Sequence, residues 1–185
     1  MFDLDRFIEE CKAAVTEDPT HKSVHEIVSR AVADPEEVLR VLGEPKRAGV
    51  QTVYHAPDLT ILNLAWGPQQ TIMPHNHEMW AVIGMYGGRE DNVFWRRLPD
   101  DAENRVEAAG AKSLSTGDCA PLGRDIIHSV LNPTMKLSAA LHVYGGDFFN
   151  AHRKEWCPEH LTERDMDVQA SVRAFEEANA RLGTH

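Results

Sequence analysis

The stretch Trp66-Gly67-Pro68-Gln69-Gln70-Thr71-Ile72-Met73-Pro74-His75-Asn76-His77-Glu78-Met79-Trp80 places two histidines two residues apart, between a Pro/Gly-rich turn and an apolar run. Side chains at positions i and i+2 of a β-strand point to the same face, so a strand here presents the imidazoles of His75 and His77 together. Imidazole suits Zn, Cu, Fe and Ni as a ligand. The pair therefore predicts part of a metal site, and a third ligand must come from elsewhere in the chain.

A second stretch, Gly117 to Asn132, offers that third ligand. A Pro/Gly turn leads to His128 on a short apolar strand, and Asn132 follows four residues later. Glu78 is the nearest carboxylate to the first pair, but its parity is opposite to that of His77, so we expect it to face away as a solvated or rim residue. The predicted ligand set is three neutral histidines.

Apolar residues at helical spacing predict three helices before Pro45, and short apolar runs broken by turns predict strands from Val50 to Tyr144. Many short strands at this spacing are typical of a sandwich or a closed barrel. A capping box at Thr162 to Asp165 predicts the start of a C-terminal helix. The sequence thus predicts a single domain over residues 1–185, with helical residues 1–45, a β-barrel over 46–146 and a helical extension over 147–185.

Charge and composition exclude several classes of partner. A formal net charge of -10 and a pI near 5.4 argue against a nucleic-acid surface and against anionic membranes. The N-terminus lacks the basic residues of a secretory signal, and no stretch approaches the ~20 apolar residues of a membrane span. Three widely spaced cysteines do not suggest a disulfide framework. We therefore expect a cytoplasmic protein with reduced thiols.

A late strand carries a second group of polar residues. In Leu137 to Gly146 the alternation of a β-strand puts Ser138, Ala140, His142 and Tyr144 on one face. In a jelly roll such a strand can line the same cavity as the metal. A buried histidine and tyrosine two residues apart need hydrogen-bond partners, so we expect them to bond to each other or to a ligand.

In this order and spacing, the blocks Trp66-Gly67, His75-x-His77, His128-x-Val130-x-Asn132 and Leu141-His142-Val143-Tyr144 resemble the thiol dioxygenases of the cupin superfamily, meaning cysteine dioxygenase and its bacterial relative mercaptopropionate dioxygenase. The resemblance spans roughly residues 50 to 146. It implies an all-β core with the cupin-type double-stranded β-helix, or jelly-roll, barrel, flanked by the N-terminal helices and a C-terminal helix.

The resemblance also implies an activity. His75, His77 and His128 would hold Fe(II), with Tyr144 near the iron and His142 supporting it. The reaction would oxidise a small thiol to a sulfinic acid with O2. Three neutral imidazoles leave Fe(II) its full positive charge and open positions, which favours an anionic thiolate.

This chain departs from the family in four places. Ala140 stands where the family has the serine of its Ser-x-His-x-Tyr face, so Ser138 or a water would have to take that place. Asn76 replaces a frequent aspartate, and Val82 replaces the cysteine that some members crosslink to their tyrosine. The fourth departure is the arginine with which cysteine dioxygenase binds the substrate carboxylate, because this chain has Tyr54-His55-Ala56-Pro57 there.

Histidine cannot copy the bidentate recognition of a carboxylate by arginine. Either Arg89, Arg97 or Arg153 reaches the site from elsewhere, or the substrate is not free cysteine. His55 and Gln70, the latter just ahead of the ligand strand, are the candidate substrate contacts.

Two alternatives remain beside the dioxygenase interpretation. One is a different three-histidine cupin enzyme, either a dioxygenase that cleaves a carbon-carbon bond or an isomerase. The other is a non-catalytic cupin that binds a small molecule. The expected partners are a small thiol and O2, with no nucleic acid and no membrane. A homodimer is a further expectation, because the edges of jelly rolls often pair.

Overall fold

The computed structural model describes residues 1–182, with helices at both ends of the chain around a β core. The helices are α1 (Leu4–Glu17), α2 (Lys22–Val32), α3 (Pro35–Leu42) and α4 (Val168–Leu182). The strands are β1 (Gly49–His55), β2 (Thr60–Trp66), β3 (Thr71–Asn76), β4 (Ala81–Gly87), β5 (Arg89–Arg97), β6 (Val106–Ser115), β7 (Cys119–Leu122), β8 (Ile127–Leu131), β9 (Ser138–Tyr144), β10 (Lys154–Trp156) and β11 (Glu163–Asp165).

The strands form two antiparallel sheets that face each other. The first, called here the helix-covered sheet, has the order β1-β2-β9-β4-β7, and the second, called the outer sheet, has the order β11-β10-β3-β8-β5-β6. Apolar residues from both sheets, including Leu62, Ile83, Leu114 and Val130, form one buried cluster between them. The predicted double-stranded β-helix barrel with N-terminal and C-terminal helices is confirmed.

Strand β9 is buried on both faces because it lies in the middle of the helix-covered sheet. Ala139, Leu141 and Val143 belong to the cluster formed with the N-terminal helices, whereas Ala140 and Tyr144 belong to the cluster inside the barrel. The predicted alternation of this strand is therefore correct, and its even-numbered residues face the interior.

The N-terminal helices cover the outer face of the helix-covered sheet. Asp3 begins α1 by accepting a hydrogen bond from the backbone N–H of Arg6 at 2.8 Å. Helix α2 approaches β4 so closely that a Cβ at Gly84 would lie 2.4 Å from Cγ1 of Val28. A glycine at this position sets the distance between helix and sheet. No helix within residues 1–182 has both the length and the hydrophobicity needed to cross a bilayer.

The predicted helix start at Thr162 is wrong. Glu163–Asp165 is strand β11, paired with β10, and α4 begins at Val168. Asp167 is the residue that accepts from the first free backbone N–H groups of α4, those of Gln169 and Ala170. Two ion pairs of β11 side chains accompany the strand: Arg164 with Glu155 on the paired strand at 2.7 Å, and Glu163 with the distant Arg97 at 2.7 Å.

The segment 147–182 thus contributes two short strands to the outer sheet before its helix begins. The last three residues of the predicted C-terminal extension lie outside the described residues. Strand β6 runs through Gly110 and pairs with β5 across a register shift between Phe94 and Trp95.

Candidate metal centre and its cavity

Two neighbouring strands of the outer sheet position the three histidines. His75 on β3 lies directly opposite His128 on β8, and a register shift between Ile72 and His75 interrupts the pairing just before it. His77 follows one residue after the end of β3. The ring centroids of the three imidazoles are 4.6 to 5.1 Å apart. The structure therefore brings together the three predicted ligands, which offer nitrogens within 4.8 Å of one another.

Hydrogen bonds orient two of these rings. Nδ1 of His75 lies 2.9 Å from the carbonyl oxygen of Met73 and can only donate to it. Nδ1 of His128 lies 2.6 Å from the side-chain oxygen Oδ1 of Asn92. A histidine that donates from Nδ1 keeps the lone pair of Nε2 free for a metal. Both rings are therefore held with Nε2 as the available ligand atom.

All three imidazoles are buried, and burial keeps them neutral. Loss of hydration lowers the pKa of His75 to about 4. The pKa values of His77 and His128 fall well below the ordinary histidine value for the same reason, and the neighbouring histidines lower them further. Neutral imidazole is the form that binds a metal ion.

The donor set fits a divalent transition metal. Nε2 of His77 and Nε2 of His128 face each other at 3.3 Å. Two nitrogens that are each about 2.1 Å from one ion lie roughly 3.0 to 3.4 Å apart in octahedral or tetrahedral coordination. A shared cation also relieves the repulsion between converging lone pairs. Nitrogen donors without a carboxylate suit Zn, Cu, Fe or Ni rather than Mg or Ca.

Tyr144 and His142 lie beside the three histidines on β9. The Tyr144 ring meets the edge of the His77 ring with centroids 5.0 Å apart, and its hydroxyl lies 3.2 Å from Nδ1 of His142. Burial raises the pKa of Tyr144, so the phenol stays protonated at neutral pH. The site thus has a hydrogen-bonding hydroxyl next to the three histidines.

The histidines, His142 and Tyr144 form the floor of a cavity of about 250 Å³. Its walls are mostly aliphatic and aromatic, and Trp66 and Phe175 stack with centroids 5.4 Å apart where α4 crosses the barrel. Exposed apolar side chains mark its opening, namely Val50, Phe149, Val168 and Val172. Arg153 is the single lysine, arginine or carboxylate residue that the described part of the chain contributes to the lining.

No anionic residue within 1–182 pairs with Arg153. Its guanidinium lies 4.0 Å from the centroid of the Phe148 ring, and its Nε is buried without a hydrogen-bond partner. Of the three arginines considered from the sequence, Arg153 alone lines the cavity. Arg89 pairs with Asp91 at 2.7 Å and Arg97 pairs with Glu163. The cavity thus has one cation available to an anionic ligand.

The two predicted substrate contacts lie elsewhere. Nε2 of His55 lies 2.9 Å from a carboxylate oxygen of Asp147 at the protein surface. Oε1 of Gln70 accepts from the backbone N–H of Gly67 at 2.8 Å, so this side chain holds the turn before β3. Neither residue lines the cavity. The structure does not bring His55 or Gln70 to the three histidines, because each is engaged by a neighbouring loop or turn.

The sequence did not point to Glu90 and Asn92 on β5, which lie behind the histidines. Oε2 of Glu90 accepts from Nε1 of Trp66 at 2.6 Å and lies 3.4 Å from Nε2 of His142. Ser138, one of the two predicted substitutes for the missing serine, has a buried hydroxyl without a partner and does not fill that place. The alternation of side chains along β5 could have indicated them, because Glu90 and Asn92 lie on the same strand face as Phe94, which packs into the barrel.

No protein-family model matches the chain. Among solved structures, a conserved protein with a double-stranded β-helix domain from Klebsiella pneumoniae is 15% identical, with 60% of this chain and 84% of that chain covered and a TM-score of 0.43. An RmlC-like cupin family protein from Methanocaldococcus jannaschii is 10% identical, with 58% and 90% covered and a TM-score of 0.45. A deletion mutant of Bacillus subtilis oxalate decarboxylase is 15% identical, with 58% and 28% covered and a TM-score of 0.44. At these scores the three proteins say nothing about what this chain binds or does.

Proposed function

We propose that this protein is an iron-dependent thiol dioxygenase that oxidises a small anionic thiol to the sulfinic acid. The observation that carries the proposal is a single cavity lined by three neutral histidines, a protonated phenol and one guanidinium that has no ion-pair partner within residues 1–182. The overall change is RSH + O2 → RSO2H. Both oxygen atoms enter the product, dioxygen is the oxidant, and no further reductant is needed.

His75, His77 and His128 would hold the iron. Bound there, Fe(II) would supply a cationic centre that attracts the substrate thiolate and lowers the pKa of its thiol. Because the three ligands are neutral, none of them cancels the charge that attracts a thiolate. A carboxylate ligand would partly cancel that charge and weaken the attraction for a thiolate.

Arg153 supports a substrate that carries a carboxylate or another anion. Its guanidinium is fixed against Phe148, and a planar fork of donors matches the two oxygens of a carboxylate. No acidic residue of the described chain lines the cavity, so a substrate ammonium would lose its hydration without gaining a partner. This favours mercapto-acids over cysteine and disfavours cysteamine most.

Tyr144 and the apolar walls complete the proposed mechanism. The Tyr144 hydroxyl, next to the ring of His77, can donate a hydrogen bond to oxygen or to the substrate sulfur. The walls built from Leu62, Ile72 and Phe175 exclude water from the floor, which strengthens every polar interaction there.

The test is oxygen uptake by protein loaded anaerobically with Fe(II). With mercaptopropionate we expect one O2 consumed for each sulfinate formed, and a kcat/KM about 10-fold or more above that for cysteine, with cysteamine lowest. Replacing Arg153 with methionine should raise the KM for mercaptopropionate while leaving that for cysteamine nearly unchanged, with Arg89→Met as the surface control. Absence of uptake with all three thiols would contradict the proposal, and turnover of a diketone or catechol instead would select another three-histidine enzyme.

A further inference from the structure

Glu90 is a buried carboxylate without a cationic residue. It is fully inaccessible, and within residues 1–182 neither a lysine nor an arginine pairs with it. The other buried glutamate, Glu155, pairs with Arg164 at 2.7 Å. A buried carboxylate is tolerated only when donors surround it. The identity of those donors indicates what Glu90 does.

Two N–H donors bond to Glu90, and a ring nitrogen of His142 lies beside it. Nε1 of Trp66 donates to Oε2 at 2.6 Å, Nδ2 of Asn92 donates to Oε1 at 2.9 Å, and Nε2 of His142 lies 3.4 Å from Oε2. Burial alone raises the pKa of the carboxyl, but the contacts from His142, Asn92 and Trp66 outweigh it and leave the pKa below its ordinary value. Glu90 is therefore ionised, and an ionised carboxylate only accepts hydrogen bonds.

Because Glu90 can only accept hydrogen bonds, it determines which atoms donate in the bonds between Asn92 and His128 and between Tyr144 and His142. Because Asn92 must turn its amide N–H2 towards Glu90, its oxygen faces His128, and Nδ1 of His128 must carry the proton of the 2.6 Å bond between them. On the other side, Nε2 of His142 is buried, has no hydrogen-bond partner within residues 1–182 and lies 3.4 Å from Oε2 of Glu90, so we assign the proton of a neutral imidazole to this nitrogen, facing the carboxylate. Nδ1 of His142 is then an acceptor for the Tyr144 hydroxyl at 3.2 Å.

We propose that Glu90 is a positioning residue that sets the tautomers of His128 and His142 together, through Asn92 on one side and directly on the other. It thereby leaves Nε2 of His128 unprotonated, so that this nitrogen can bind the metal, and it orients the hydroxyl of Tyr144 beside the site. The Tyr144 side of this inference rests on the proposed function. The His128 side requires only that the three histidines bind a metal.

The decisive variant is Glu90→Gln, which keeps the shape and introduces a donor. Trp66 and His142 both need an acceptor, so the new amide N–H2 faces Asn92 and forces that side chain to turn over. Asn92 then donates to Nδ1 of His128, and the proton of this imidazole moves to Nε2, where it blocks the metal. Glu155→Gln is the matched control, because it also neutralises a buried glutamate but lies outside this chain of bonds.

Two readouts do not involve thiol oxidation. Competition with a chromophoric chelator should show Zn(II) bound about 10–100-fold more weakly by Glu90→Gln than by the wild type or by Glu155→Gln. In 15N spectra of the metal-free, histidine-labelled protein, the protonated nitrogen of His128 should change from Nδ1 to Nε2. Unchanged affinity with an unchanged tautomer, or an equal loss of affinity in both glutamine variants, would overturn the inference.

If Glu90→Gln does not fold, Asn92→Leu tests the same side of the network, since it removes the link between Glu90 and His128. A loss of Zn(II) affinity of the same order supports the inference, and wild-type affinity contradicts it. If the Zn(II) and 15N results are as expected but the protein oxidises no thiol, the proposed function is contradicted and the inferred role of Glu90 is not affected.

Discussion

The two faces of β9 have different roles, although every residue of the strand is buried. On the helix side, Ala139, Leu141 and Val143 make apolar contacts with the N-terminal helices. On the barrel side, His142 and Tyr144 keep polar atoms in the interior and bond to each other at 3.2 Å. Because side chains alternate along a strand, adjacent residues of β9 have different roles: those on the helix side contribute to stability, and those on the barrel side line the proposed site. Burial by itself does not distinguish the two roles, whereas the presence of partnered polar atoms does.

The largest effect is expected inside the barrel, at the proposed metal ligand His128 on β8. His128→Ala should weaken Zn(II) or Fe(II) binding by more than the roughly 10–100-fold cost of losing an outer-shell partner, and oxygen uptake should fall to background. Metal content after dialysis and oxygen-electrode rates measure both. His25→Ala, at a half-buried position of α2 outside the barrel, should change neither. Substantial activity in His128→Ala would remove this residue from the ligand set.

The next largest effect is expected on the helix side. Leu141 is fully buried, so Leu141→Ala should lower the free energy of unfolding by about 2–5 kcal/mol. Urea unfolding measures this loss. Zn(II) affinity per folded molecule should stay within about twofold of the wild type. A large loss of affinity without a loss of stability would show that the two faces are not separable.

Acid should weaken the metal-free barrel through its histidines. The pKa of His75 is about 4 in the folded protein and about 6.5 in an unfolded chain. The unfolded state therefore binds more protons between these values, so the stability contributed by neutral His75 is full above pH 6.5 and is lost as pH falls to 4. This single residue accounts for about 3 kcal/mol.

Urea midpoints of chelator-treated protein between pH 7.5 and 4.5 test this expectation. His75→Gln should show a shallower fall of stability with acidification than the wild type. Parallel curves for the two proteins would show that the imidazole does not carry this dependence.

The smallest effect is expected at Tyr144. Tyr144→Phe removes one hydroxyl, so the unfolding free energy should change by about 1 kcal/mol or less. The oxygen-dependent step should slow by roughly 10–100-fold, as expected for the loss of one hydrogen bond to a charged group, and stopped-flow mixing with oxygen measures it. The matched change Tyr86→Phe, on the helix-facing side of β4, should leave this rate unaltered. Equal rates in the wild type and Tyr144→Phe would fit a cupin whose phenol has no part in catalysis.

Local spacing predicted much of this arrangement. The period of two along a strand placed His75 with His77 and His142 with Tyr144, because each pair lies within one short segment. Many short strands at regular spacing predicted a sandwich or a closed barrel, and the stretch from Gly117 to Asn132 offered His128 as the third ligand. These features depend on a few neighbouring residues, and the fold then brought the segments together.

The remaining features depend on contacts between distant segments. Glu90 reaches Trp66 and His142 from β5, and nothing in the sequence around it indicates those partners. Arg153 could not be distinguished from Arg89 and Arg97, because its position depends on how the chain crosses the barrel after β9. The capping pattern at Thr162 misled for the same reason, since strand pairing with β10 decides that segment.

The pairing of β3 with β8 also has a kinetic consequence. His77 and His128 are 51 residues apart in the chain and meet only when the two blocks have paired. Contacts between such distant segments carry a loop-closure cost and form slowly relative to local structure. During refolding, binding of a metal ion to the proposed site would therefore report that the barrel has closed, whereas the N-terminal helices can form earlier without it.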